Sequence, residues 1–146
     1  MTTPGSDDET AIRQQIGRLA ASIRAMDLEA VRGFYAGDIV SFDFEAPLAI
    51  AGVEVKLGNW GRIFAQHRPP LGYEVRDLVV VVHGDVAFAH SLNRISGTRH
   101  DGTQAGHWVR CTNCLRRIGG QWRIVHDHVS VPADARSGRA LLDLTP

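Results

Sequence analysis

Cysteine is scarce in this chain: Cys111 and Cys114 are its only two in 146 residues. Two thiols cannot build a disulfide framework, and no second pair completes a zinc site. Their C-x-x-C spacing is that of redox pairs, but redox pairs open a helix, where the thiolate is stabilised. Here both fall in a stretch of strand character, where an offset of three sends them to opposite faces. They are expected to be buried, reduced thiols. Net charge is lacking too, because 16 basic residues balance 16 acidic ones. That balance argues against a nucleic-acid or anionic-membrane binder, since either needs a basic patch. No apolar run approaches the roughly 20 residues of a bilayer span. The N-terminus has neither the basic nor the apolar segment of a secretory signal, so the cytoplasm is the expected location.

What is present is a chain with 44% apolar and 22% charged residues, ordinary for one soluble domain with a sizeable core. One domain is expected over residues 1–132, with 1–6 a flexible tail and 133–146 a C-terminal tail whose leucines dock on the body. Ser6 and Glu9 match a capping box, and Ile12, Ile16, Leu19 and Ile23 follow at helical spacing, predicting a helix over about 7–25. Asp27 can cap a shorter helix through about Tyr35, ended by Gly37. Residues 39–44 read as a short strand and 46–52 as a turn-rich connection. Residues 53–66 form a third helix with Val53, Leu57, Trp60, Ile63 and Phe64 inward, although Gly58 and Gly61 weaken it by about 1 kcal/mol each.

From Leu71 onward the pattern is strand. Runs at 73–83, 86–97, 103–117 and 121–130 are separated by Gly84-Asp85, Asp101-Gly102 and Gly119-Gly120. Tight turns between long strands require an antiparallel meander. Three helices and a curved sheet can bury each other on one face only, giving an α+β cone-shaped roll (α-α-β-α-β-β-β-β) with a pocket at its open end. On the last strand, alternation puts Trp122, Ile124, His126, His128 and Ser130 on one face, running from core into pocket. Trp108, Arg110 and Thr112 share a face of the strand before it. That pairing suits a pocket, with Trp as a flat apolar wall and Arg as a fixed positive fork. Of His90 and Asn93 only one can face inward, and the small residues Ala87, Ala89 and Ser91 favour Asn93. His67, His83, His100 and His107 fall in turns or near strand ends and read as solvated.

Three stretches carry a family resemblance. They are residues 26–38 (Met-Asp-Leu-Glu-Ala-Val-Arg-Gly-Phe-Tyr-Ala-Gly-Asp), Asp43, and residues 120–130 (Gly-Gln-Trp-Arg-Ile-Val-His-Asp-His-Val-Ser). With the element order, they make the chain over roughly 7–131 resemble the nuclear-transport-factor-two-like superfamily. This includes the ketosteroid isomerases and the SnoaL-like cyclases, and the ending is typical of the SnoaL-like branch. The resemblance implies the cone fold. It also implies that Asp43, after the lead-in Tyr35-Ala36-Gly37-Asp38, stands at the proton-transferring position. The isomerases' oxyanion tyrosine falls on Leu19 and their protonated aspartate near Asn113, so steroid isomerisation is not expected.

The expected function is therefore a small-molecule pocket protein. It would be a cofactor-independent isomerase, cyclase or dehydratase that moves a proton on an apolar or aromatic carbonyl compound. Asp43 would be the base, raised toward neutrality by burial. Arg110 and His128 would be its catalytic partners, and Trp60, Trp108, Asn93, Thr112, His126 and Ser130 would hold the substrate. A metal held by His126, His128 and Asp43 is the lesser alternative, and neither metal nor cofactor is expected. The other class of reading is a non-catalytic ligand-binding or dimerisation domain. A homodimer is expected through the outer sheet face, with residues 79–82, Val125 and Val129 as its apolar surface.

Overall fold

The computed structural model describes residues 4–146, so the part of the expected flexible tail at residues 1–3 lies outside the described residues. Helix α1 (Pro4–Arg24) begins before the predicted capping box, and Ser6 lies inside it. Proline's fixed φ suits a first helical turn. Ile12, Ile16, Leu19 and Ile23 are all buried, as their spacing predicted. Helix α2 (Leu28–Arg32) is capped by Asp27, whose carboxylate accepts the Ala30 amide at 3.0 Å. It stops at Gly33 rather than Gly37, because the chain already turns extended at Tyr35 to form β1 (Tyr35–Phe42). The turn-rich connection contains a short strand, β2 (Ile50–Ala51), paired antiparallel to the end of β1. Helix α3 (Val53–Gln66) follows as predicted.

The meander is β3 (Gly72–His83), β4 (Val86–Thr98), β5 (Gln104–Ile118) and β6 (Gln121–Ser130). The sheet order is β2-β1-β6-β5-β4-β3, and β1 runs parallel to β6 while every other pair is antiparallel. The core lies between the helices and the inner sheet face, around Ile12, Ile23, Val31, Ile39, Leu115 and Ile124. Each such fully buried aliphatic side chain contributes roughly 1.5–3 kcal/mol. None of the described helices is long and apolar enough to cross a membrane.

Besides a register shift in β1 between Tyr35 and Val40, two irregularities curve the sheet. One is in β3 near Asp77, which has φ of 55°. The other is in β6, where Leu115 pairs with Ile124 but Cys114 pairs with His126, leaving Val125 as an extra residue. A bulge of this kind bends the strand and reverses the facing of everything beyond it. A third feature fixes the end of α3. A Cβ on Gly97 would lie 2.8 Å from the His67 ring, so glycine there lets His67 lie directly on β4. Arg68 N donates to the Thr98 carbonyl at 2.7 Å beside it.

Candidate active-site cavity

A cavity of about 640 Å³ opens between α1, α3 and the inner sheet face. Leu19 and Ile23 of α1, Trp60 and Ile63 of α3, and Val109 and Ile95 of the sheet form apolar walls. The volume suits a small organic ligand.

Lys56 projects from α3 into the interior and is only 3% exposed. Its ammonium donates to Asp127 Oδ2 at 2.9 Å, Asp43 Oδ2 at 3.0 Å and Ser41 Oγ at 3.2 Å. Ser41 Oγ in turn donates to Asp127 Oδ1. The three N–H groups of the lysine are thus spent on one hydroxyl and two carboxylates. Burial opposes its charge, but the Tyr35 oxygen and the carboxylates of Asp127 and Asp43 outweigh that and raise its pKa.

Asp43 lies just beyond β1 and lines the cavity. Oδ2 also accepts from Asn59 Nδ2 at 2.9 Å, and Oδ1 accepts the Phe44 amide at 2.8 Å. A carboxylate has about four lone-pair sites, so these partners leave one for a further proton. Burial pushes the carboxyl upward. The charge of Lys56 and the hydrogen bonds from Asn59, Lys56 and the Phe44 amide push it down further, and the net is a pKa below its ordinary value. The sequence-based expectation of a raised pKa is therefore reversed, because it did not include the lysine.

Two tyrosines line the same cavity. Tyr35 OH accepts Trp60 Nε1–H at 3.1 Å, and Tyr73 OH accepts Asn93 Nδ2–H at 2.8 Å. Ser91 Oγ donates to Asn93 Oδ1 at 2.7 Å and so fixes which end of that amide faces Tyr73. Each phenol thus has an oxygen lone pair occupied by a positioned donor and its own proton available. Burial raises both phenol pKa values, which keeps them neutral donors.

The predicted site residues divide. Asp43, Trp60 and Asn93 line the cavity, and His90 is exposed on the other face of β4. Arg110, His128, Trp108, Thr112, His126 and Ser130 do not line it. The Val125 bulge turns Asp127 and Val129 inward, and His126, His128 and Ser130 outward, where both imidazoles meet Phe42 edge-on at 4.7 and 5.6 Å. On β5 the inward set is Val109, Cys111, Asn113 and Leu115. Trp108 lies on the outer face under the Arg76 guanidinium, 4.9 Å away, and Arg110 Nε donates to Ser130 Oγ at 3.1 Å. Trp108 thus takes its cation from Arg76 of β3 on the outer face, and Arg110 is no part of that contact. The metal alternative fails on the same ground, since Asp43 and the two histidines lie on opposite sides of the sheet. Cys111 and Cys114 are both free, Cys111 buried and Cys114 half-buried. Burial pushes the Cys111 thiol up to about 12.

Several cavity residues escaped the sequence reading. Lys56 had a signal: it falls on the apolar stripe of α3, three residues after Val53 and four before Trp60. His107, expected to be solvated, lines the cavity and stacks on Phe44 at 5.3 Å. Burial, then the charge of Arg94, lowers its pKa. His67 and Leu142 also line the opening. Asp127 had no signal, since only the bulge brings it inward.

The chain matches the SnoaL-like domain over residues 12–134. It belongs to the SnoaL-like family. The match ends before the C-terminal segment that carries Leu142. A solved NTF2-like protein of unknown function from Pseudomonas putida KT2440 is 35% identical to this SnoaL-like chain, covers 97% of it and 98% of its own length, and superposes with a TM-score of 0.86. An NTF2-like superfamily protein from Salmonella enterica is 20% identical, with coverages of 93% and 99% and a TM-score of 0.78. A ketosteroid isomerase-like protein from Erwinia carotovora atroseptica is 20% identical, with coverages of 84% and 95% and a TM-score of 0.71. The last two share the fold alone. No curated protein matches the sequence.

Proposed function

We propose that the SnoaL-like cavity binds a small, largely apolar carbonyl compound and catalyses proton transfer on it without a cofactor. The observation that carries this reading is an ionised carboxylate, Asp43, in an apolar cavity with two oriented phenol donors. Asp43 takes the proton α to the carbonyl, and the C–H electron pair moves to the carbonyl oxygen. Tyr35 and Tyr73 donate to the developing enolate oxygen, which is where fixed donors stabilise most. Collapse of the enolate with reprotonation elsewhere is isomerisation, attack on a second carbonyl is cyclisation, and loss of a β-hydroxyl is dehydration. All three share the first step. Lys56 keeps Asp43 ionised and in place rather than touching substrate, since its donors are already used.

The test follows deuterium uptake from D₂O at the α-carbon of cyclohex-3-enone by NMR. The protein is expected to accelerate exchange, and Tyr35→Phe and Tyr73→Phe are each expected to slow it by about 10²-fold. No acceleration by the wild type, or unchanged rates in both variants, would sink the assignment.

A second reading, self-association, is favoured by the outer sheet face. Val79, Val81, Val86, Phe88 and Phe42 are 41%, 45%, 51%, 46% and 39% exposed, more than a lone soluble sheet needs to show. Val80, by the alternation of its own strand, and Val129, because of the β6 bulge, turn inward rather than onto this face. Sedimentation velocity is expected to show a dimer, and Phe88→Glu a monomer. A monomeric wild type removes this reading and leaves the cavity chemistry untouched.

A further inference from the structure

The cavity has an electrical polarity that the proton-transfer reading does not use. Inside, two carboxylates face one ammonium, and that ammonium has no free donor. An acid group on a ligand would find net negative charge there and no free cation. The opening is different. Arg62 of α3 and Arg99 just beyond β4 both line it and are both exposed, and no described ion pair includes either. Arg62 Nη2 donates to the neutral Asn59 Oδ1.

Both arginines stand on a fixed frame. Residues His67 and Arg99 form an antiparallel bridge, and His100 Nε2 and the Ala65 carbonyl oxygen lie 2.8 Å apart, tying the end of α3 to the end of β4. His67 adds a ring held by its Nδ1 contact to the Ile63 carbonyl at 2.7 Å. Two carboxylates lie nearby. Glu45 also lines the opening, and Asp101 on the β4–β5 turn spends Oδ1 on the Thr103 amide and hydroxyl. Neither is within ion-pair distance of an arginine, although the Thr103 hydrogen bonds and then the nearby charge of Arg99 hold the Asp101 carboxyl below its ordinary value.

From this we infer that the natural ligand is an amphipathic keto acid. Its apolar body and carbonyl enter the cavity, and its carboxylate, or an equivalent anionic group, stays at the opening between Arg62 and Arg99. The inference rests on the proposed function for the placement of the carbonyl, but the acid end depends only on the rim. Guanidinium forks match planar oxyanions, and a charge-assisted pair outweighs the neutral hydrogen bonds of an amide. Such a rim also orients entry, because a ligand arriving acid-first meets the buried carboxylates.

The test compares 4-oxo-4-phenylbutanoate with 4-oxo-4-phenylbutanamide by isothermal titration calorimetry at neutral pH. In about 20 mM salt the acid is expected to bind about tenfold or more tightly than the amide, and the preference is expected to shrink in about 300 mM salt. The double variant Arg62→Gln/Arg99→Gln is expected to bring the acid to the level of the amide while amide binding and Tm stay unchanged. The same acid preference is expected in Asp43→Asn, so loss of proton transfer and loss of the rim site read out separately. Equal binding of acid and amide, binding of neither, or an acid preference that survives in the double variant would overturn the inference.

Discussion

Lys56→Met is expected to lower folding stability by roughly 3–5 kcal/mol, on the order of 10 °C or more in Tm for a chain of this size. The side chains are close in volume, so packing is nearly conserved. What is lost is the only cation, among the described residues, bonded to Asp43 and Asp127, and Asp127 is 3% exposed. Breaking one side of a buried pair leaves the other charge without compensation, which costs far more than the pair contributes when intact. The pH dependence follows. In the wild type the depressed Asp43 pKa contributes stability present above its unfolded value near 4 and lost as pH falls through the folded one. The raised Lys56 pKa contributes stability present below its unfolded value near 10.4 and lost as pH rises through the folded one. In Lys56→Met the Asp43 carboxyl loses the cation that holds its pKa down, that pKa moves up, and the folded state takes up protons as the medium acidifies. The variant's deficit is therefore largest at neutral and alkaline pH and narrows toward acid. Thermal melts across that range check it. A constant deficit of about 1 kcal/mol would mean that solvent, rather than Lys56, balances the two carboxylates.

Asp43→Asn is expected to reduce α-proton exchange by about 10²–10⁴-fold while leaving the fold and ligand affinity close to wild type. Asparagine keeps the shape and can keep its oxygen on Lys56 and Asn59 by giving up the bond from the Phe44 amide, and Lys56 retains Asp127. Basicity is removed and geometry is preserved, so kcat falls with little change in KM. Because Lys56, Asn59 and the Phe44 amide hold the Asp43 carboxyl below its ordinary range, the wild-type rate should show no acid limb above about pH 4 from this group. A limb below the ordinary histidine value that persists in Asp43→Asn would transfer the base role to His107, the other titratable group lining the cavity with a lowered pKa. The low basicity of Asp43 is offset by permanent ionisation and by the two phenols, whose donation acidifies the carbon being deprotonated.

The element order was legible in the sequence because each element depends on its own neighbours. The stripe Ile12, Ile16, Leu19, Ile23 needs only a helix to become buried, and the Asp27 cap, the span of α3 and the three turns of the meander are equally local. Asp43 was reached through the resemblance of the Tyr35–Asp38 lead-in, and Trp60 and Asn93 through facing rules that no bulge disturbed. Of the C-terminal leucines expected to dock, Leu142 lines the cavity, yet it and Leu144 are 45% and 47% exposed.

The rest was decided by tertiary structure, most clearly in β6. Facing along a strand is a parity counted from its start, and one extra residue resets the count. Nothing in Val125 or its neighbours marks it as that residue. The bulge exists because the sheet must curve around α1 and α3, and its position is set by pairing with β5. It takes His126 and His128 out of the cavity and brings in Asp127, which with Asp43 holds Lys56. The amino-acid sequence by itself determined the helices, the strands, the core stripe and the placement of Asp43. Closure of the sheet decided which cation sits beside Asp43, and with it the carboxyl's pKa and the electrical polarity of the cavity, because those depend on charges brought together from α3, β6 and the end of β1.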